Sequence, residues 1–215
     1  TLSNILSAAG YSVTREYYVN DSGSQIDSFA SSLYARCKQA LGQDADMPPE
    51  SYMGEYMIEM ANQVIKDAGK QLLDLPEIEA LDKLKDIGLS KVLDGIKTDL
   101  SDLMVDFDEW FEESELYDSG QYKDTMANLE KNGYVTTKEG ATWFVSTALG
   151  EDKDNVLVRS TGTPTYFASD TAYHYNKLAV RNFDKVIDIW GADHKGHVSR
   201  IHAAMSALGL DPDKI

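Results

Sequence analysis

The stretch Val158-Arg-Ser-Thr-Gly-Thr-Pro-Thr-Tyr166-Phe-Ala-Ser-Asp170-Thr-Ala-Tyr-His174-Tyr, followed after a short polar segment by Phe183-Asp-Lys-Val-Ile-Asp-Ile-Trp190-Gly191-Ala-Asp-His194-Lys-Gly-His197, decides the fold. It reads as strand, helix, strand and polar loop. Asn155–Ser160 and Pro164–Ala168 have strand character around the turn Thr161-Gly162-Thr163. A helix follows. Val186–Trp190 then reads as a second strand that empties into the Gly191–His197 loop. Ligands of open α/β sheets bind at the carboxyl edge of the strands. A loop holding Gly, Asp and two His at that edge is therefore a candidate nucleotide or substrate site.

Upstream, the pattern is helical. Leu2, Ile5, Leu6 and Ala9 follow helical spacing, and Gly10 stops that helix. Tyr11–Val19 is rich in Tyr, Val and Thr and reads as a strand, closed by Asn20-Asp21-Ser-Gly23. Helices are expected over Gln25–Leu41, Tyr52–Leu73, much of Pro76–Phe107 and Tyr122–Asn132, with Met47-Pro48-Pro49 as a break. Tyr134-Val135 and Ala141–Thr147 read as strands joined at Lys138-Glu139-Gly140. The expected fold class is α/β: a Rossmann-like parallel sheet interrupted by a long, mostly helical insertion with a small antiparallel β patch. Residues 1–25 and 151–215 would form the partial core, and 26–150 the insertion. A long crossover between parallel strands is permitted, with right-handed sense.

Composition narrows the partners. The chain has 215 residues, 42% of them apolar, enough for a real core. No run of 18 apolar residues is present and no signal peptide is visible, so neither a membrane partner nor export is expected. The single cysteine, Cys37, excludes an internal disulfide framework, fits a cytoplasmic location and reads as a helix-face residue without catalytic context. A net charge of −16 makes the chain a poor electrostatic partner for a phosphate backbone. Thr1 already lies inside a helical pattern and Ile215 reads as the start of a strand, so the chain is expected to be a piece of a longer protein.

The residues with chemistry have bland readings beside functional ones. Asp170, four residues after Tyr166 at a strand-to-helix junction, would serve well as a helix N-cap. Glu113 sits in the acidic run Phe107-Asp-Glu-Trp-Phe-Glu-Glu-Ser114, which reads as a solvated turn. Asp193, His194 and His197, with His202, could be read as metal ligands, but the spacing is loose and no bound metal is expected. Asn20 and Asp21 suit a turn. Tyr173, His174, Trp110 and Trp143 read as core or pocket wall.

Several stretches together resemble arginyl-tRNA synthetase, a class I aminoacyl-tRNA synthetase. They are Ala9-Gly-Tyr-Ser-Val-Thr-Arg-Glu-Tyr-Tyr-Val-Asn-Asp-Ser-Gly-Ser-Gln-Ile26, Gly54-Glu-Tyr56, Phe107–Ser114, Arg159–His174 and Gly191-Ala-Asp-His-Lys-Gly-His197. They keep the family's order over nearly the whole chain. The resemblance implies that Tyr166 and Asp170, in a Tyr-x-x-x-Asp pattern, contact substrate arginine. It implies that Glu113, with Asp108 as runner-up, faces the guanidinium or the α-amino group. Gly191, Asp193 and His197 would hold the nucleotide, His194 would face the amino acid, and Asn20 and Asp21 would lie beside the cleft. A guanidinium presents five donors in a fork that paired carboxylates match. The implied activity is ATP-dependent ligation of arginine to tRNA(Arg), with Mg2+ accompanying ATP in the full-length enzyme. The family's His-x-Gly-His and Lys-Met-Ser-Lys signatures are expected just before Thr1 and beyond Ile215. The chain alone should then be inactive, and tRNA should bind mostly through other regions. The alternatives are another nucleotide-binding α/β enzyme, such as a nucleotidyltransferase, or a non-catalytic synthetase-like binding module.

Overall fold

The structure, a computed structural model, describes residues 1–215 except the side chain of Asp193. The chain divides into two compact units, Thr1–Glu112 and Glu113–Ile215.

In the first unit a short helix α1 (Leu2–Ala8) ends at Gly10, whose φ of 95° suits glycine. Strand β1 (Glu16–Val19) pairs in parallel with β2 (Glu109–Glu112). Tyr17 lies opposite Trp110, and the two rings stack at 4.7 Å. The Arg15 guanidinium grips Asp108 through both carboxylate oxygens, at 3.1 and 2.9 Å, and the Arg15 amide adds a bond at 2.8 Å. These bonds hold the Asp108 carboxyl down at about 2. Asp108 thus already has a full partner at the foot of this strand pair. The acidic run read as a solvated turn contains β2. Glu109 and Glu112 at its ends are exposed, Trp110 is half-buried and Phe111 is buried.

Between β1 and β2 the chain is helical. Helix α2 (Ser24–Ala40) buries Ile26, Phe29, Ala30, Leu33 and Cys37, spaced by three and four. Helix α3 (Glu55–Ala68) buries Met57, Ala61 and Val64, and α4 (Glu77–Asp102) buries Ala80, Leu84 and Gly88. The expected second helix, Tyr52–Leu73, splits at Gly69, φ 79°, into α3 and a 3-10 turn at Lys70–Asp74. Cys37 lies in this core, where burial pushes its thiol up to about 12, an inert state. At Gly88 a Cβ would come within 2.7 Å of the Phe29 ring and 2.8 Å of Leu33. Gly88→Ala should therefore lower the unfolding midpoint, despite the roughly 1 kcal/mol that alanine gains in a helix. A raised midpoint in thermal unfolding would show that α2 can yield.

The second unit begins with α5 (Ser114–Asp118) and α6 (Gln121–Lys131). Strands β3 (Val135–Lys138), β4 (Ala141–Phe144) and β5 (Asn155–Val158) form an antiparallel sheet in that order. Glu139 and Gly140 make the two-residue β3–β4 turn, both at positive φ (53° and 76°), the primed geometry that hairpins favour. Helix α7 (Tyr166–Tyr175) continues into a π turn, Asn176–Val180, and α8 (Val198–Ala207) packs against it. The core joins Leu129, Phe144, Leu157, Phe167, Ile201 and Met205.

Two strand expectations need correction. Pro164–Ala168 is not a strand: Pro164 makes a single bridge to Val158 and α7 starts at Tyr166. Thr165 decides this, accepting from the Ala168 amide at 3.4 Å while donating to the Val156 carbonyl at 2.7 Å. Val186–Trp190 forms no ladder among the described residues. Val186 is buried and donates to the Lys214 carbonyl at 2.7 Å, whereas Ile189 is 84% exposed. A short apolar run without a ladder partner does not make a strand.

Candidate functional site

The chemistry-bearing residues of the second unit gather around α7. Because Thr165 caps the helix, Asp170 is not its cap. It lies a turn further in, only 7% exposed. Helical spacing from Asp170 puts His174 and Lys177 on the same face, and both are buried as well.

Asp170 meets two imidazoles. His197 Nε2 lies 2.5 Å from Oδ2, and His174 Nδ1 lies 3.4 Å from Oδ1. His174 Nδ1 also lies 2.7 Å from the Asp170 carbonyl. The other His174 nitrogen, Nε2, is 2.8 Å from Asp188 Oδ2, and Lys177 Nζ is 2.6 Å from Asp188 Oδ1. Arg200 Nη2 contacts His197 Nδ1 at 2.9 Å. A guanidinium can only donate, so His197 Nδ1 accepts and its Nε2 proton goes to Asp170. The result is one chain of alternating donors and acceptors, Arg200, His197, Asp170, His174, Asp188 and Lys177, whose Arg200 and Asp188 are half-buried and whose other members are buried.

The electrostatics follow from this alternation. Burial alone would raise the Asp170 carboxyl, but hydrogen bonds from His174 and His197 outweigh it and hold it well below the ordinary carboxylate range. Burial alone would lower the His174 pKa, but Asp170 and Asp188 outweigh it and hold it above the ordinary histidine value. Asp188 is held down by His174 and Lys177 against its own burial.

Above this chain sits an aromatic rim. The Tyr166 ring lies 5.6 Å from His197 and 6.3 Å from His194, and Trp190 lies 5.5 Å from His197 and 5.8 Å from His194. Burial pushes the Tyr166 hydroxyl up to about 12, with the charges of Asp170, Glu113 and Asp188 adding to the shift. Glu113, at the start of α5, is only 8% exposed and also acts on Tyr117. Tyr166 itself is 51% exposed and forms the open edge of the group. Two hollows, of about 260 and 600 Å3, lie elsewhere, one beside Ser24 and Glu50 and the other beside Gln121 and Tyr175. Their convergent charged groups are few, so the Asp170 cluster is the better candidate.

Of the expected site residues, Tyr166, Asp170, Glu113, His194 and His197 therefore come together. Gly191 opens the 3-10 turn Ala192–His197, with its backbone exposed and its carbonyl accepting from the His194 amide at 3.0 Å. The Asp193 side chain lies outside the described residues. Asn20 and Asp21 belong to the first unit, just after β1. His197 precedes α8 without capping it through its side chain. Both its ring nitrogens are taken by Asp170 and Arg200, which leaves none for a metal. Asp188, Lys177 and Arg200 were not expected at the site. The Asp170-His174-Lys177 stripe and the His197-Arg200 pair could have pointed to two of them, being one helical turn apart at each step. Asp188 lies between Ile187 and Ile189, in an apolar run that reads as a strand.

A family model described as tRNA synthetases class I (R), catalytic domain, matches residues 1–215. An arginine–tRNA ligase of Dehalococcoides mccartyi is 54% identical over 215 residues, which is all of this chain and 39% of that relative. One from Oceanobacillus iheyensis is 46% identical over 213 residues, 99% of this chain and 38% of the relative. The chain thus spans about two-fifths of the length of these curated relatives. A Campylobacter jejuni crystal structure assigned as an arginyl-tRNA synthetase superposes with a TM-score of 0.89 at 33% identity, over 99% of this chain and 46% of that one. Thermus thermophilus arginyl-tRNA synthetase matches with a TM-score of 0.72 at 18% identity, over 99% of this chain and 42% of that one, a likeness of fold alone.

Proposed function

Because this chain belongs to the catalytic-domain family of the class I arginyl-tRNA synthetases, we propose that it supplies the arginine pocket and part of the adenylate site of an ATP-dependent arginine–tRNA ligase. Residues 1–25 and 151–215 serve in this reading as the partial Rossmann-like core, and 26–150 as its insertion. The observation that carries the proposal is the buried carboxylate of Asp170, kept charged beneath Tyr166, with the charge of Glu113 felt at the same hydroxyl.

An arginine side chain is a planar cation that needs carboxylate acceptors, and its α-ammonium needs another. Asp170 receives one hydrogen bond on Oδ2 and a longer contact on Oδ1. A carboxylate has about four acceptor positions, so lone pairs remain for a guanidinium. Tyr166 and Glu113 flank it, and His194 faces the amino-acid end. Gly191, Asp193 and His197 form the nucleotide side, where a glycine lets backbone approach the ligand closely and His197, its ring nitrogens bonded to Asp170 and Arg200, offers its ring rather than a hydrogen bond. Lysine, lacking the planar fork, fits this arrangement poorly.

The reaction needs little acid–base chemistry from these residues. An oxygen of the arginine carboxylate bonds to the α-phosphorus of ATP while the bond to pyrophosphate breaks, giving arginyl-adenylate. A hydroxyl of tRNA(Arg) then attacks the activated carbonyl and AMP leaves. Both steps depend on alignment and on stabilising phosphate charge. The chain's own residues orient arginine. Phosphate charge, Mg2+ carried with ATP, and most tRNA contacts fall to other parts of the protein, in keeping with a net charge of −16 here. The place of action is the cytoplasm. No helix among the described residues is long and apolar enough to cross a membrane.

Arginine-dependent ATP–pyrophosphate exchange by the full-length protein tests the proposal. Exchange should appear with arginine and stay near background with lysine. Exchange that ignores arginine would favour a different nucleotidyl transfer, and no exchange with any amino acid would favour a binding module.

A further inference from the structure

We propose that His174 is a positioning residue for the arginine site: clamped between Asp170 and Asp188, it holds the Asp170 carboxylate in the orientation and charge that a guanidinium requires. The inference rests on the reading that Asp170 meets arginine, and goes beyond it by naming how that carboxylate is held.

The geometry carries the argument. His174 is 1% exposed and both its ring nitrogens face acceptors. Nδ1 donates to the Asp170 carbonyl at 2.7 Å and stands 3.4 Å from its carboxylate, and Nε2 donates to Asp188 at 2.8 Å. A neutral imidazole has one donor and one acceptor, so only the imidazolium satisfies both ends. A buried carboxylate and a buried imidazolium each cost much alone and stabilise each other when paired. Lys177, bonded to Asp188 at 2.6 Å and lying 4.2 Å over the Tyr173 ring, prevents Asp188 from turning away. The groups facing His174 are Asp170 on its own helix, Lys177 on the π turn, Asp188, and the rings of Tyr173 and Trp190. Lys177 opposes the imidazolium and the two aspartates favour it, with the aspartates prevailing. The role is indirect, since every polar atom of the His174 ring is spent inside the protein.

Three variants of the full-length enzyme test this by arginine-dependent pyrophosphate exchange, each compared with wild type at about pH 6 and about pH 8, which bracket ordinary histidine titration. His174→Gln, whose uncharged amide can donate from only one end, should raise the KM for arginine about tenfold at both pH values, the loss of one charge-assisted bond. The KM for ATP should stay within about twofold. Asp188→Asn should raise the arginine KM at the higher pH and recover at the lower, where protonation restores the imidazolium. A merely structural defect would not reverse with pH. Imidazole nitrogen resonances of wild type should show His174 keeping both protons to a higher pH than an ordinary histidine does. Asp170→Asn is the control for the underlying reading and should raise the arginine KM most. If Asp170→Asn raises it while His174→Gln does not, or if the Asp188→Asn defect is the same at both pH values, the positioning role is wrong and the pocket stands. If Asp170→Asn also leaves it unchanged, the pocket itself is misplaced.

Discussion

Asp170→Ala in the full-length enzyme is expected to weaken arginine binding by about 2–5 kcal/mol, the usual cost of removing one partner from a buried charge pair. The effect should fall on the KM for arginine, with ATP affinity little changed. Asp170 is not the α7 cap, because Thr165 is. A selective arginine defect therefore cannot be put down to a lost cap. The variant also strips His197 and His174 of an acceptor, so some loss of stability should accompany it. The split between arginine and ATP, measured as pyrophosphate exchange at varied concentrations of each, separates the two effects. Equal losses for both substrates would mean that Asp170 only holds the fold.

The second large effect concerns the core behind the site. Phe144→Ala should destabilise the second unit by about 3–5 kcal/mol, as large-to-small changes at fully buried aromatic positions do. Phe144 is completely buried, on β4, and its ring lies 5.9 Å from that of Phe167, the residue next to Tyr166. The cavity would open directly under the first turn of α7. Phe144→Leu, which keeps most of the volume, should cost much less. Urea unfolding monitored in the second unit checks this. A midpoint for Phe144→Ala close to wild type would show that the sheet can collapse onto the gap.

What the sequence made legible was the repetitive part. Helices α2, α3, α4 and α6 announced themselves by apolar residues three and four apart, and the Glu139-Gly140 hairpin by its turn chemistry. Strand β2 was hidden because it is only four residues long, with glutamates at both ends and one buried residue, Phe111. The opposite error fell on Pro164–Ala168 and Val186–Trp190. There β-favouring residues sit beside a threonine cap in one case and lack a ladder partner among the described residues in the other. Strands depend on partners that a single segment does not reveal.

The site divides the same way. Tyr166, Asp170, Glu113 and His194 were reached by resemblance and by the chemistry a guanidinium demands. The structure draws them together through α7, the start of α5 and the 3-10 turn before α8. The links that make Asp170 a charged, fixed acceptor were not legible. His197 reaches it across 27 positions, and Asp188 reaches His174 across 14. Only the fold reports such separations.

The central claim is that Asp170 and Glu113 receive the arginine cation beside Tyr166. A crystal structure of the full-length enzyme with bound arginine tests it most directly. The account predicts guanidinium nitrogens within about 3 Å of carboxylate oxygens of Asp170 or Glu113, with the Tyr166 ring against the side chain. An arginine seated elsewhere, with Asp170 bonded only to His174 and His197, would contradict it.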